Sequence, residues 1–506
     1  MKKVFVSIVM LLVCGAAVAQ EDQFEAFRKQ VEQKFNTMKE DNERKFDNFR
    51  QEINARYADF LRKEWSLFES EAPIAVPDKP DPIVPPTYDP SKHTIPREVP
   101  VAKVIPTTPV VPQPQPVAPI KPAPQPAPVP TPQPTPTPAP QPQPQPNVVE
   151  FDYFGLTCKV KAPEKDSCLS SLLSEEAIAS GWEYYSQPKF DEMLADCLAY
   201  RTSLALGDWG YYQFVKLFSE KYCEGCQGAS EEVLLQAFIL AQSGYKVRLG
   251  RTNDRLYLLL GCNETIYSRT YFTLDGTRFY PMFEGRTLPS ALRICDAEFP
   301  SEKSMSLYFD KQPRLAEKMT APTTFTSTRY SDVKVDVAIN HNLMEFYATY
   351  PHCEFQPHVT ASLSESLKKQ LYPVLRKAIE GKSQRDAANR LINFVQTGFK
   401  YKTDTEQFGF EKWYFGDEIF FYSFSDCDDR AIFYSVLVRE LLGLKVVLLN
   451  YPTHLATAVL FTENIEGDHI VYKDKHYLIC DPTYIGASIG KAMPKFKNEK
   501  IDVIEL

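Results

Sequence analysis

The sequence predicts an α+β protein in which helices precede strands, and three observations carry that expectation. Apolar residues recur at helical spacing over 363–398 and again from Ile432 to Leu441, and strand-like runs follow from Leu455 to Phe461 and from His476 to Cys480. The same order, helices and then strands, occurs earlier over about 175–285. Finally, 28 of the 41 prolines lie between Pro73 and Pro146, which separates this globular sequence from what precedes it.

The chain of 506 residues has room for two or three domains. Its formal charge of -8 provides no basic footprint, so nucleic acid is excluded as an expected partner. Residues 1–19 read as a secretory signal: Lys2 and Lys3, an apolar run from Val4 to Val13, then Ala17-Val18-Ala19. The expected location is therefore periplasmic, cell-surface or secreted, with lipidation at Cys14 as the alternative. No later run reaches the ~20 apolar residues a transmembrane helix needs. The remaining cysteines are scattered and define no disulfide framework, and Cys223-x-x-Cys226 reads as a local disulfide or as two thiols.

Residues 20–71 carry an eleven-residue repeat. Phe24, Phe35, Phe46, Tyr57 and Phe68 mark one position, and Phe27, Met38, Phe49 and Phe60 mark the position three further on. Eleven residues in three turns predicts a long helix with a straight or slightly right-handed course. Self-association through 24–68 is the expected use of the aromatic stripe, and packing on a membrane or on the protein's own catalytic domain is the alternative. Residues 72–147 are low in complexity and predict a disordered, polyproline-type spacer.

Residues 148–290 predict an α+β domain, with helices at Trp209–Tyr222 and Ser230–Ser243, then strands at Leu256–Leu260, Ile266–Leu274 and Thr277–Tyr280. Ser230-Glu231-Glu232 lies where Cys427-Asp428-Asp429 lies later, so this region reads as an internal copy, or else as an unrelated domain of similar order. It has no histidine, so it cannot repeat histidine chemistry. Residues 291–362 predict a β-rich bridge with strands at Thr323–Thr328, Val333–Asn340 and Leu343–Tyr350, turning at Asn340-His341-Asn342. His352, Cys353 and His358 lack a further ligand at metal-site spacing, so no metal and no cofactor is expected.

Residues 363–506 hold the chemistry. Ser425-Asp426-Cys427-Asp428-Asp429-Arg430-Ala431 sets a cysteine at the first turn of a helix, where unpaired N–H groups and the helix dipole favour a thiolate. His454 starts one strand and Asp481 ends another. Cysteine, histidine and aspartate in that order fit nucleophile, general base and orienting carboxylate. Over about residues 365–490 the chain resembles the transglutaminase-like superfamily of papain-like cysteine enzymes, on Cys427, His454 and Asp481. The resemblance implies a papain-like or transglutaminase core, with the aromatic approach Phe408–Phe424 as one wall of a substrate cleft. The implied activity is acyl transfer on peptide or isopeptide bonds through a thioester, hydrolysis ahead of crosslinking, with protein or peptide as the substrate. An inactive oligomeric scaffold on the same fold is the alternative. Gln407 and Trp413 are candidate side-chain donors to the oxyanion. Asp428 and Asp429 oppose a thiolate unless they face away or cap backbone donors.

Overall fold

The computed structural model describes residues 47–63, 65–76, 85–92, 95–106, 147–165, 168–169, 173–226, 229–283, 288–309 and 311–506. The expected signal segment, the repeat before residue 47 and the proline-rich stretch 107–146 lie outside the described residues. The architecture is mixed α+β, built as two lobes that each lay helices on a six-stranded sheet.

In the first lobe the strands lie in the order Trp65–Glu69, Ala291–Cys295, Val247–Arg251, Leu256–Cys262, Thr277–Pro281 and Phe272–Leu274. In the second the order is Val101–Ile105, Ile501–Glu505, Lys445–Tyr451, His454–Leu460, Lys475–Cys480 and His469–Tyr472. The two sheets share one topology. Each takes a first strand from the N-terminal region, then the last strand of the lobe, then the pair that follows the central helix, then a hairpin. They differ at the edge: Trp65–Glu69 pairs antiparallel with its neighbour and Val101–Ile105 pairs parallel.

The central helices, Ser230–Gln242 and Cys427–Leu437, are mostly buried; after a polar first turn each is largely apolar, and the polar residues of the first turn of the second are buried as well. The first ends just before a left-handed glycine, Gly244 at φ 86°, and the second leads to another, Gly443 at φ 65°. A π-turn at Val438–Leu442 separates the second helix from its glycine. The flanking helices Glu365–Ile379 and Gln384–Gly398 begin at Ser364 and Ser383, whose hydroxyls accept from Leu367 N and Asp386 N as N-caps.

Several expectations need correction. Helix covers 47–63, but Trp65–Glu69 is a strand, so the repeat does not continue as helix to Phe68. Within 47–63 the buried face is Arg50, Ile53, Asn54, Tyr57, Ala58 and Leu61, packed into the first lobe, whereas Phe49 and Phe60 are exposed. The spacer is not unstructured throughout. Thr87 bridges to Ile485, Glu98 to His469, and Val101–Ile105 completes the second sheet, with Val99 fully buried. The apolar residues among these prolines give the segment something to bury, and Pro100 accepts from Ile501 N through its carbonyl at the strand start, where a missing N–H is tolerated.

In the bridge, Thr323–Thr326 and Lys334–Val337 pair as a hairpin, but Leu343–Tyr350 is not a strand: His341–Ala348 is a helix. Asn340 is its N-cap, accepting from Asn342 N, and Leu343, Met344, Phe346 and Tyr347 bury one helical face. The one disulfide among the described residues joins Cys226 to Cys168, not to Cys223. No helix among the described residues is long and apolar enough to cross a membrane.

Candidate active site

The cysteine helix starts on a reciprocal cap. The Asp426 carboxylate accepts from Asp428 N at 3.0 Å, and Asp429 Oδ2 accepts from Asp426 N at 3.0 Å. The other Asp429 oxygen accepts from Tyr414 N at 3.2 Å. Asp429 therefore faces backbone donors; burial first, then Asp426 and Asp404, raise its pKa well above the usual carboxylate range. Asp428 does the opposite of facing away: the Cys427 Sγ donates to its Oδ1 at 3.2 Å. Arg430 is 1% exposed and donates to Ser425 Oγ, Gln396 O and Phe399 O, so it serves as a clamp between segments.

His454 closes a two-residue hairpin, paired with Tyr451 across Pro452-Thr453. Its ring stacks on Phe496 with centroids 5.1 Å apart, and its Nε2 sits 2.9 Å from Asp481 Oδ2. The Cys427 sulfur interacts with the same imidazole. Burial alone would push the imidazole pKa down, but the Asp481 carboxylate, its hydrogen bond and the cysteine together raise it to about 10. His454 is thus an imidazolium at neutral pH. Cys427, His454 and Asp481 are all buried, and the structure brings the three expected residues into one cluster from a helix start and two strand ends.

Asp481 is fixed in turn by Thr483 N, which donates to Oδ1 at 2.9 Å. Gln396 was not foreseen. Its side-chain nitrogen donates to the carbonyls of Asp481, Tyr484 and Ala487, and its Oε1 accepts from Gly486 N. Through its own carbonyl it also meets Arg430, so it ties the aspartate turn to the cysteine helix. An amide beside Leu391, Ile392 and Val395 on an otherwise apolar helical face was the available signal.

Of the two candidate oxyanion donors, Gln407 is engaged by a neighbouring tyrosine, and Trp413 lies in a core cluster with Ala431, Ile432 and Leu455. Gln407 donates to the Tyr414 hydroxyl at 2.9 Å, and Trp413 packs among Tyr267, His352, Phe355 and His358. Most of the aromatic approach is likewise core. Cys480 is fully buried, on the core side of its strand. Asp426, Cys427 and Asp428, and separately Asp404, Glu411 and Asp426, place ligand atoms within 4.8 Å of one another; Asp426 caps Asp428 N, Asp404 accepts from Lys412 N and Asp428 accepts from the thiol.

The first lobe has equivalent positions without the chemistry. Ser230 opens its central helix as Cys427 opens the other, and its hydroxyl accepts from Leu256 N at 3.4 Å. Leu256 opens the strand as His454 does. Thr457 pairs with Cys480 and Leu259 with Pro281, so the shared register puts Leu256 and Met282 at the positions of His454 and Asp481. Glu231 holds the position of Asp428. It accepts from Leu169 N at 3.0 Å and Tyr185 OH at 3.1 Å, and pairs with Lys165 Nζ at 2.9 Å.

Comparison of the chain with protein-family models, with curated proteins and with solved structures finds no match in any of the three.

Proposed function

We propose that this protein is an exported cysteine-dependent acyl-transfer enzyme with a transglutaminase-like core in its second lobe and a catalytically inert copy of that core in its first. The substrate is a peptide or isopeptide amide, and hydrolysis is favoured over crosslinking. The observation that carries the reading is the His454–Asp481 pair at 2.9 Å beside a cysteine at a helix start.

With His454 protonated, Cys427 attacks as the thiolate. A C–S bond forms at the amide carbonyl, and the oxyanion meets the Cys427 backbone N–H at the helix start. Collapse breaks the C–N bond, and the leaving amine takes its proton from His454. Water then attacks the thioester and gives a proton to His454, the acid departs and the thiolate returns. If an amine replaces water, the product is a new amide. Asp481 holds the ring orientation and keeps the imidazolium charged.

Treatment with iodoacetamide at near-neutral pH tests the reading. Cys427 should react faster than a free thiol and should slow in His454→Ala. A rate equal to that of a free thiol, unchanged by His454→Ala, would reject it. A peptide library with and without a primary amine then separates hydrolase from transferase by amine incorporation.

An inactive scaffold is the second reading, favoured by the replacement of all three positions by Ser230, Leu256 and Met282 in the first lobe. Either reading accommodates self-association through 24–68, since Phe49 and Phe60, eleven residues apart, are 56% and 37% exposed.

A further inference from the structure

Outside the Cys427 cluster, the hairpin at the edge of the second sheet carries two histidines on one face. His469–Tyr472 pairs antiparallel with Lys475–Cys480, His469 opposite Leu478 and Val471 opposite His476. Ile470, Tyr472, Tyr477 and Ile479 enter the core on one side of the sheet, so His469 and His476 lie together on the other, as diagonal neighbours within reach of each other. Their ring centroids are 4.8 Å apart. Both line a groove of about 780 Å³ whose walls include Phe461 and Ile465, and whose charged residues are Glu463, Glu466, Asp474 and Lys475, three carboxylates against one ammonium.

We propose that His469 and His476 form a binding site for one divalent transition cation of the zinc or nickel kind. His469 is prepared for it. Its Nδ1 lies 3.1 Å from the Gly467 carbonyl, which can only accept, so Nδ1 carries the proton and Nε2 keeps its lone pair; this is the outer hydrogen bond that orients metal-binding histidines. That carbonyl is itself held. A Cβ on Gly467 would lie 2.5 Å from the Gly490 Cα, and the Asp468 carboxylate accepts from Arg97 N, Ala492 N and Lys497 Nζ. His476 makes no hydrogen bond among the described residues, and its ring contact is with His469. With metal–nitrogen bonds of about 2.1 Å, rings at this separation share one ion at a nitrogen–metal–nitrogen angle of about 95°. Imidazole selects such ions over magnesium and calcium, which take oxygen ligands. The remaining coordination positions open toward the groove, where the surplus of carboxylates favours a cation. The ion sits where His469 N donates to Arg97 O and Val99 N donates to His469 O, so it clips the hairpin that receives the incoming edge segment. No step at Cys427 depends on it.

The test uses the full chain, without a histidine tag and freed of metal by chelation. Carbethoxylation of each histidine by diethyl pyrocarbonate is mapped by mass spectrometry while zinc chloride or nickel chloride is titrated in. Either metal should slow modification of His469 and His476 together, over the same concentration range, and magnesium or calcium at that concentration should not. In His476→Ala, the zinc concentration that protects His469 should rise at least about tenfold, and in His469→Ala the same should hold for His476. Reading the two histidines one by one separates this site from zinc taken up by the thiols. His476 is exposed, so its replacement leaves the core in place; should His469→Ala fail to fold, His476→Ala and His476→Gln decide. Modification of both histidines unchanged by zinc and nickel, equal protection by magnesium, or protection of His469 that survives His476→Ala overturns the proposal. The acyl-transfer reading stands or falls separately, on alkylation of Cys427.

Discussion

Replacing Asp481 by asparagine isolates the electrostatics of the site, because the side chain keeps its shape and its acceptor for Thr483 N. In the wild type the imidazole of His454 titrates near 10, so it is almost wholly charged at pH 7.5. Without the carboxylate its two raising contributions are lost while burial still lowers the pKa, so the imidazolium fraction at pH 7.5 falls. The positive charge facing the Cys427 sulfur falls with it. The second-order rate of iodoacetamide with Cys427 should therefore drop about tenfold or more at pH 7.5. Stability provides an independent readout. A histidine whose folded pKa is raised contributes stability that is complete below about pH 6.5 and is lost as pH rises through about 10, on the order of 4 kcal/mol for this buried pair. Urea unfolding at pH 6 and pH 10 should show a wild-type advantage over Asp481→Asn at the lower pH that narrows at the higher. Identical alkylation profiles, together with a stability difference independent of pH, would refute the reasoning.

Three further outcomes follow from the packing. Gln396→Leu leaves three buried carbonyls without their donor and should cost about 1–3 kcal/mol in urea unfolding while slowing Cys427 alkylation, since the Asp481 turn loses its tie. Removing the Cys168–Cys226 bridge, whose ends are 58 residues apart, should destabilise the first lobe by about 4 kcal/mol on the chain-entropy estimate, read as a lower calorimetric melting transition under reduction. Val99→Asp buries a charge at a fully enclosed position and should cost more than about 3 kcal/mol; protease cleavage near residue 100 in the native protein would report release of the edge strand.

The sequence by itself determined the elements whose signals are local. Caps at Ser364 and Ser383, the cap and first turn of the cysteine helix, and the apolar runs of the second sheet are written within a few residues of where they act. The order of helix and strands in the two lobes was legible for the same reason, and it led to Cys427, His454 and Asp481. Only the tertiary structure decided what depends on distant pairing. The strand Val101–Ile105 lies among prolines and has no partner until Ile501–Glu505 arrives. Leu343–Tyr350 reads as strand or helix by apolarity alone, and its cap and buried face settle it as helix. Gln396 is polar on an apolar face and acquires meaning from three carbonyls about ninety residues later. The direction of the two carboxylates beside the thiol could not be read from their spacing, because neighbours on a helix point about 100° apart and the partners each meets are set by other segments. Asp429 turns to backbone donors and Asp428 to sulfur, a difference set by Tyr414 and the capping geometry that only the folded chain supplies.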